Sequence, residues 1–214
     1  MGELDTAAPE AEPAIATEVF GDRIELARAY TADLVGRGEE LGLIGPLELP
    51  RIWTRHVINC ALVAPLLRPG RVGDIGSGAG LPGIVLAIAR PDVDFVLIEP
   101  MERRVLWLEE QRVALGLSNV TVLRARAEDV RDVPPLDQVT ARAVSAFGKL
   151  IPLCVPLLRP GGEMVLMKGA NATREIEAAE KAIRKYKLRD VEVVVLGEEL
   201  GIDVTRVILA RTTS

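Results

Sequence analysis

The stretch that decides the fold reads Val72-Gly-Asp-Ile-Gly-Ser-Gly-Ala-Gly-Leu-Pro-Gly83. It begins with a short apolar run, continues with Gly76, Gly78 and Gly80 at alternate positions, and ends where a helix-like segment starts. Glycine lets the chain turn tightly and lets a ligand approach the backbone, because no Cβ stands in the way. The order therefore predicts a strand, a ligand-binding loop and a helix.

Alternating strands and helices are expected from this loop to the C-terminus. Strands are predicted at residues 72–75, 95–98, 120–123, 138–143, 163–167, 191–196 and 204–210, and helices at residues 82–90, 102–115, 146–158 and 174–187. Nearly continuous apolar strands are typical of a parallel sheet covered by helices on both faces. The last two strands are joined by a loop too short for a helical crossover, so the final strand should pair antiparallel at the sheet's end. The prediction is a doubly wound, Rossmann-like α/β fold with a mostly parallel seven-stranded sheet.

The N-terminal part has a different pattern. Residues 1–16 combine Ala, Pro and Glu without a hydrophobic period and are expected to form a disordered acidic leader. Amphipathic helices are predicted within residues 19–41 and 52–67, with a Gly/Pro loop between them. The expected organisation is a leader, a helical cap over residues 17–70, and an α/β domain over residues 71–214.

Composition narrows the classes of function. The 214 residues include 26 basic and 31 acidic side chains, a net charge of −5, so any nucleic-acid binding must depend on a local basic patch. No uncharged stretch reaches the about 20 residues of a membrane span, and no secretory signal is visible at the start. Cys60 and Cys154 are the only cysteines and His56 is the only histidine, so no metal site is expected. A reducing, cytoplasmic environment is predicted.

An acidic residue, Glu99, follows the second predicted strand, 19 positions after Gly80. A carboxylate in that place can accept hydrogen bonds from both hydroxyls of a ribose, which favours a cofactor that contains adenosine. Residues 78–83 also satisfy the GxGxxG pattern, so an NAD-dependent oxidoreductase is an alternative, with pyrophosphate at the helix N-terminus. Asp74 would repel such a phosphate but would attract the ammonium and sulfonium of S-adenosyl-L-methionine. Apart from His56, the chain offers no acid or base for hydride transfer.

Residues 74–83 resemble the loop of the bacterial 16S rRNA guanine-N7 methyltransferases, the glucose-inhibited division protein B family. Four further stretches match that family in chain order: Arg55-His56, Ala125-Arg-Ala-Glu-Asp129, Arg142-Ala143 and Lys168-Gly169. The resemblance extends from about residue 20 to the C-terminus. Residues 42–46, Asn59-Cys60 and Ala141 depart from the family's usual pattern. Gly45-Pro46 followed by Leu49-Pro-Arg-Ile-Trp53 looks like an actinobacterial variant of that family.

The resemblance implies a class I S-adenosylmethionine-dependent methyltransferase that acts on N7 of a guanine in the decoding region of 16S rRNA. Its substrate would be the small ribosomal subunit or a precursor of it, and the chain is expected to act as a monomer. Carried onto this sequence, and together with the loop glycines, the cofactor-binding residues are Asp74, Gly76, Gly78, Gly80, Leu81, Glu99, Ala127, Glu128 and Arg142. The substrate-binding residues are Arg55, His56 and Lys168.

Guanine N7 carries a free lone pair at neutral pH, so methyl transfer to it needs no general base. Alignment of the reactants supplies about 7–11 kcal/mol of barrier reduction, which leaves no need for a dedicated catalytic residue. Methylation of cytosine C5 requires a cysteine nucleophile, and neither cysteine follows the fourth strand. The expected reaction is a direct in-line transfer without a covalent intermediate. A further alternative is a non-catalytic, RNA-binding factor for ribosome assembly.

Several side chains have two interpretations. Arg142 either contacts the cofactor or the base, or pairs with a carboxylate such as Glu128. His56 is either functional or a structural residue of its helix, and Lys168 either binds an RNA phosphate or is a solvated loop lysine. The basic run at residues 181–189 is either an RNA contact or a solvated helix face. The tryptophans, Trp53 and Trp107, are expected to pack in the core or at the cap interface.

Overall fold

The computed structural model describes residues 8–131 and 133–213. Seven strands form one sheet in the order β3-β2-β1-β4-β5-β7-β6. Their bounds are β1 Arg71–Ile75, β2 Asp94–Ile98, β3 Val120–Leu123, β4 Leu136–Arg142, β5 Leu158–Lys168, β6 Arg189–Leu196 and β7 Thr205–Arg211. Strands β1 to β5 pair in parallel, and β7 runs antiparallel to both β5 and β6. The predicted α/β fold is confirmed.

The final strand does not lie at the edge of the sheet, although its antiparallel pairing is as predicted. Strand β7 is inserted between β5 and β6, and β6 forms the edge. Val207, Ile208 and Ala210 of β7 are fully buried, whereas every residue of β6 is exposed or only partly buried. The more apolar strand therefore takes the interior position, and the strand with more exposed side chains takes the edge.

Helices cover both faces of the sheet. Outside the cap they are α4 Gly83–Ala89, α5 Glu102–Ala114, α6 Phe147–Cys154, α7 Ala172–Ala178 and α8 Glu180–Lys185. Alternate residues of β2 belong to two separate hydrophobic clusters, Phe95 and Leu97 to one, Val96 and Ile98 to the other. The first cluster includes the cap, α4 and α5, and the second includes α6. This division follows from the alternation of side chains across a strand.

The cap is helical, as predicted, but not uniformly α-helical. It contains α1 Ile15–Phe20, α2 Ile24–Arg37, a 3₁₀ segment Pro46–Arg51, a π-helix Ile52–Ile58, α3 Asn59–Ala61 and a 3₁₀ turn Ala64–Leu66. The hydroxyl of the fully buried Tyr30 donates to the carbonyl of Ala79 at 2.9 Å, and Trp107 Nε1 donates to the same oxygen at 2.8 Å. The cap, the glycine loop and α5 are thereby joined at one backbone carbonyl. Trp53 and Trp107 are both buried, as expected.

The disorder of the leader stays a prediction; residues 1–7 lie outside the described part, and in the remainder Glu10 contacts the cap. The Glu10 carboxylate accepts hydrogen bonds from the backbone N–H groups of Trp53 and Thr54, at 2.9 and 3.0 Å. Glu10 N also donates to the carbonyl of Leu49. The first N–H groups of a helix have no partner within that helix, and Glu10 satisfies two of them. Within the described ranges, every helix is too short or too polar to cross a membrane.

Candidate cofactor and substrate site

The loop between β1 and α4 has the backbone that its glycines make possible. Gly76, Gly78 and Gly80 have φ angles of +68°, +55° and +96°, a region that other residues rarely adopt. A Cβ on Gly80 would lie 2.5 Å from Ile84 Cγ1, so this glycine allows the loop to pack directly on α4. A Cβ on Gly78 would meet only the Gly76 carbonyl oxygen within 4 Å, at 3.8 Å. Gly78 is therefore needed because its φ angle is positive and because a side chain there would fill the open space beside the loop.

This loop forms one wall of a pocket of about 540 Å³ that lies between the sheet and the cap. The lining residues come from the cap, the glycine loop and the segments after β2 and β4; they are Leu43, Ile44, Gly45, Glu48, His56, Gly76, Ser77, Gly78, Ala79, Leu81, Glu99, Pro100, Met101, Arg104, Arg142, Ala143 and Val144. We call it the first pocket. It contains five of the residues predicted to bind the cofactor: Gly76, Gly78, Leu81, Glu99 and Arg142. The carboxyl ends of neighbouring parallel strands meet here, where open α/β sheets usually bind ligands.

Glu99 is held rigidly in the first pocket although it is only 2% exposed. Its Oε2 accepts the N–H of Gly78, and its Oε1 accepts the N–H of Met101, both at 2.9 Å. A carboxylate oxygen has two acceptor positions, so each oxygen keeps one for a ligand. The carboxylate therefore both secures the glycine loop and offers acceptors to a diol.

Asp74 lies beneath the loop and does not line the first pocket, in contrast to the predicted direct attraction of a cationic ligand. The side chain is fully buried, and its Oδ2 accepts the N–H of Gly83, the first residue of α4, at 3.1 Å. Among the described residues, Oδ1 has no hydrogen-bond partner. Burial without a cation raises the pKa of Asp74 to about 7. Its position is that of a group that fixes the start of α4.

The raised pKa makes the stability of the fold depend on pH in a specific direction. The folded state favours protonated Asp74. Its contribution to the free energy of unfolding is therefore complete below pH 3.8 and is lost as the pH rises to about 7. Asp74→Asn keeps an acceptor that stays neutral at every pH. We expect its free energy of unfolding to increase relative to that of the wild type by about 3 kcal/mol when the pH is raised from 5 to 8. Urea unfolding at both pH values measures this difference. The exposed Asp129→Asn is the control, and equal pH dependence of Asp74→Asn and wild type would contradict the burial argument.

Ala127 and Glu128 lie on the 3₁₀ turn Ala127–Asp129, which follows β3. Neither residue lines the first pocket. Ala127 packs against the second hydrophobic cluster, and Glu128 is exposed, with its backbone carbonyl accepting Arg131 Nη1 at 2.7 Å. Their predicted contact with the cofactor stays a prediction, because the structure brings them to the same edge of the sheet and no closer.

Arg142, at the end of β4, is bound by the cap and not by Glu128. Its Nη2 lies 2.6 Å from His56 Nδ1, and its Nη1 lies 3.4 Å from Cys60 Sγ. His56 Nε2 lies in turn 2.7 Å from Glu48 Oε2. Of the two interpretations of Arg142, the ion pair with Glu128 is therefore wrong, since the guanidinium points toward the cap helix.

A second pocket of about 540 Å³ shares Arg142 and Ala143 with the first. It is lined by Arg55, Asn59, Arg142, Ala143, Met167, Lys168, Gly169, Ala170, Asp203, Val204, Thr205 and Arg206. The predicted substrate residues Arg55 and Lys168 meet in this pocket, whereas His56 lines the first. Arg55 is half-exposed, with its guanidinium 3.6 Å from Glu48 and 3.9 Å from Asp203.

Lys168 is not a solvated loop lysine. Its side chain is only 7% exposed, and its Nζ lies 2.9 Å from Glu175 Oε2 and 2.6 Å from the carbonyl of Ser145.

Arg206 lies opposite Lys168 in the register of β5 and β7 and also lines the second pocket. Among the ion pairs of the described residues, Arg206 takes part in none. Arg206 is thus the more available cation.

Sequence reasoning missed three groups of residues. The cap loop residues Leu43, Ile44 and Gly45 cover the first pocket, Glu48 bonds to His56, and Arg206 lies in the second pocket. None of them stands in a recognisable motif, and no local pattern could have indicated them. The basic run at residues 181–189 lines neither pocket.

Solved structures show the same fold at low sequence identity. TYW2 of M. jannaschii, solved in complex with AdoMet, aligns with a TM-score of 0.58 and 23% identity over 75% of this chain and 76% of that one. The O-methyltransferase TomG of Streptomyces achromogenes, solved with SAM, aligns with a TM-score of 0.58 and 18% identity over 89% and 90%. These similarities establish the fold of class I methyltransferases, as predicted.

Sequence relatives are much more similar. The ribosomal RNA small subunit methyltransferase G of Clavibacter michiganensis subsp. michiganensis is 72% identical over 94% of this chain and 96% of its own. The protein of the same name from Arthrobacter sp. (strain FB24) is 53% identical over 92% of this chain and 92% of its own. That from Corynebacterium glutamicum (strain R) is 47% identical over 93% of this chain and 91% of its own. The predicted actinobacterial resemblance is confirmed. A family model described as rRNA small subunit methyltransferase G (GidB) matches residues 23–205. The chain therefore belongs to the rRNA small subunit methyltransferase G family.

Proposed function

We propose that this chain transfers a methyl group from S-adenosyl-L-methionine to N7 of a guanine in 16S rRNA of the small ribosomal subunit. The observation that carries the proposal is the junction of two pockets at Arg142 and Ala143. One pocket contains the glycine loop and an acceptor for a ribose, and the other contains arginines suited to RNA. Membership of the family supports the class of reaction and of substrate.

The first pocket fits S-adenosylmethionine better than a dinucleotide. Glu99 offers free acceptor positions beside Gly78, as binding of a ribose requires. The N-terminus of α4, which would bind a pyrophosphate in an NAD-dependent enzyme, is already bonded to the Asp74 carboxylate through the N–H of Gly83. That arrangement disfavours phosphate at this position and so disfavours the oxidoreductase alternative.

The chemistry demands alignment more than proton transfer. S-adenosylmethionine supplies an electrophilic methyl group on a sulfonium. The lone pair of guanine N7 is available at neutral pH, so the protein has only to orient the two reactants and exclude water, which is worth about 7–11 kcal/mol. Arg142 lines both pockets and can therefore contact both ligands. No group of the chain is required to accept a proton before transfer.

The second pocket is the proposed place of the guanine nucleotide. Arg55 and Arg206 are suited to bind its phosphates, because a guanidinium donates several hydrogen bonds to phosphate oxygens. The chain as a whole has a net charge of −5, so these contacts are local. We therefore propose that the substrate is an assembled or partly assembled subunit and that deproteinised rRNA is methylated poorly. We also propose that the chain acts as a monomer, since residues of one chain line both pockets, and that it acts in the cytoplasm, where the ribosomal subunits are.

The test uses small subunits from a strain that lacks this gene, incubated with the full chain and methyl-labelled S-adenosylmethionine. We expect label on one guanine of 16S rRNA, at N7, as mapped by cleavage at the modified base. Absence of label from a protein that still binds S-adenosylhomocysteine would support the RNA-binding assembly factor instead. Tight binding of NAD without S-adenosylhomocysteine would support the oxidoreductase.

One variant tests the second pocket in the same assay. Arg206→Gln should raise KM for the subunits about tenfold, because one charged hydrogen bond to phosphate is lost, and should leave kcat unchanged. Lys181→Gln, in the basic run outside both pockets, is the matched control and should behave as wild type. An unchanged KM for Arg206→Gln would remove Arg206 from the RNA surface.

A further inference from the structure

The guanidinium of Arg142 receives its contacts from the cap. Among the described residues its acceptors are His56 Nδ1 at 2.6 Å, Cys60 Sγ at 3.4 Å and the carbonyl of Arg55 at 3.4 Å. None of these acceptors is a carboxylate, so direct contact does not neutralise the charge. Arg142 thus stands at the junction of the two pockets with a positive charge that is available to a ligand.

The hydrogen bonds determine the protonation of His56. Arginine has only donors, so His56 Nδ1 must accept and carries no proton. The ring proton lies on Nε2 and is donated to Glu48 Oε2 at 2.7 Å. Burial and the Arg142 guanidinium lower the pKa of His56 to about 4, against the opposing effect of Glu48. The imidazole is therefore neutral at physiological pH and retains its acceptor.

Glu48 is itself held in place within the cap. It lies on the 3₁₀ segment Pro46–Arg51, and its Oε1 accepts Arg51 Nη2 at 2.8 Å. Arg55 Nε lies 3.6 Å from the Oε2 that binds His56. A carboxylate that accepts one ring N–H of histidine fixes the ring orientation and makes the opposite nitrogen a better acceptor.

We propose that Glu48 is a positioning residue for methyl transfer: through His56 it holds the Arg142 guanidinium at the junction of the two pockets. The cap is then part of the reaction site and not only a cover over the first pocket. The effect on the reaction rate rests on the proposed function. The existence of the hydrogen bonds that link Glu48, His56 and Arg142 does not rest on the proposed function, and it can be tested without measuring activity.

The first experiment observes His56, which is the only histidine of the chain. Proton–nitrogen correlation spectra of the full, untagged, ¹⁵N-labelled protein report its tautomer and its pKa. The wild type should show the Nε2–H tautomer and a pKa far below 6.5. Arg142→Met should raise that pKa, because a nearby positive charge is removed, and Glu48→Ala should lower it, because a nearby negative charge is removed. The charged groups that face His56 are Glu48, Arg55 and Arg142. A wild-type Nδ1–H tautomer, or no response to Arg142→Met, would overturn the proposal.

The second experiment measures methyl transfer in single turnovers at saturating donor and subunits. Glu48→Gln should slow the transfer step about 10- to 100-fold while the Kd for S-adenosylhomocysteine changes less than about threefold. Glu40→Gln removes an exposed acid of the same cap and should match the wild type. A purely structural role of Glu48 would lower stability in urea or raise KM without slowing transfer at saturation.

Two outcomes of the rate measurement count against the proposal. Wild-type transfer rates in both Glu48→Gln and Glu48→Ala would show that Glu48 does not position Arg142. A wild-type protein whose spectra show the hydrogen bonds of His56 but which methylates no RNA would overturn the positioning role together with the proposed function. A failure of the spectra alone would leave the proposed function standing.

Discussion

Replacing Glu99 with alanine is expected to abolish measurable binding of S-adenosylhomocysteine. Two ribose hydroxyls would lose a charged acceptor, at about 1.5–3 kcal/mol each, so the Kd should rise on the order of 100-fold or more. The change also removes the acceptors of the Gly78 and Met101 N–H groups, which loosens the loop that forms the pocket wall. Isothermal titration calorimetry measures the Kd, and circular dichroism verifies the fold.

The control for Glu99→Ala is Glu102→Ala, three residues further along. Glu102 is exposed, and among the described residues its one ion pair is a surface contact with Arg124, at 3.1 Å. Such pairs contribute about 0–1 kcal/mol, so this variant should bind as wild type. A Glu99→Ala protein that binds S-adenosylhomocysteine within a few-fold of wild type would contradict the assignment of the ribose acceptor.

Gly78→Val is expected to lose cofactor binding while it remains folded. The φ of +55° costs a non-glycine residue about 1–2 kcal/mol, but a Cβ at Gly78 meets no protein atom closer than 3.8 Å. The new side chain can therefore be accommodated by the fold and occupies free space beside the pocket. The midpoint temperature of thermal unfolding should fall modestly. Calorimetry should show no binding of S-adenosylhomocysteine at concentrations that saturate the wild type.

Gly80→Val is the matched comparison and should fail for a different reason. Its Cβ would lie 2.5 Å from Ile84 Cγ1 and 2.9 Å from Ile84 Cβ, so α4 must move. Overpacking and backbone strain together cost about 3 kcal/mol or more, which unfolding in urea measures. Normal binding by Gly78→Val, or equal stability of the two variants, would show that the two glycines do not have these separate roles.

Most of the fold could be predicted from the sequence because the pattern is local. Apolar runs and helical segments alternate from residue 71 onward, and every predicted strand is present. Strand β5 extends further than predicted, over Leu158–Lys168, and its register with β4 shifts between Leu158 and Glu163, the segment that contains Gly161 and Gly162. The interior position of β7 was not predicted, since two antiparallel strands of similar length can be placed in either order.

The candidate site was predicted less completely. The first pocket contains Gly76, Gly78 and Glu99, which lie within one strand–loop–helix–strand unit. Lys168 and Asp74 were placed at the right edge of the sheet, but their contacts were not predicted. Glu175 neutralises Lys168, and Asp74 bonds to α4, because folding brings acceptors and donors from other segments to them.

The sequence by itself determined the alternation of strands and helices, the conformation of the glycine loop and the position of Glu99 at the end of β2, since each depends on residues that are close along the chain. Only the tertiary structure decided which charges remain available to a ligand. Arg142 meets His56 across 86 positions of sequence, and His56 meets Glu48 on a different segment of the cap. A side chain's hydrogen-bond partners depend on the distances between elements once they have packed, and no periodicity along the chain records those distances.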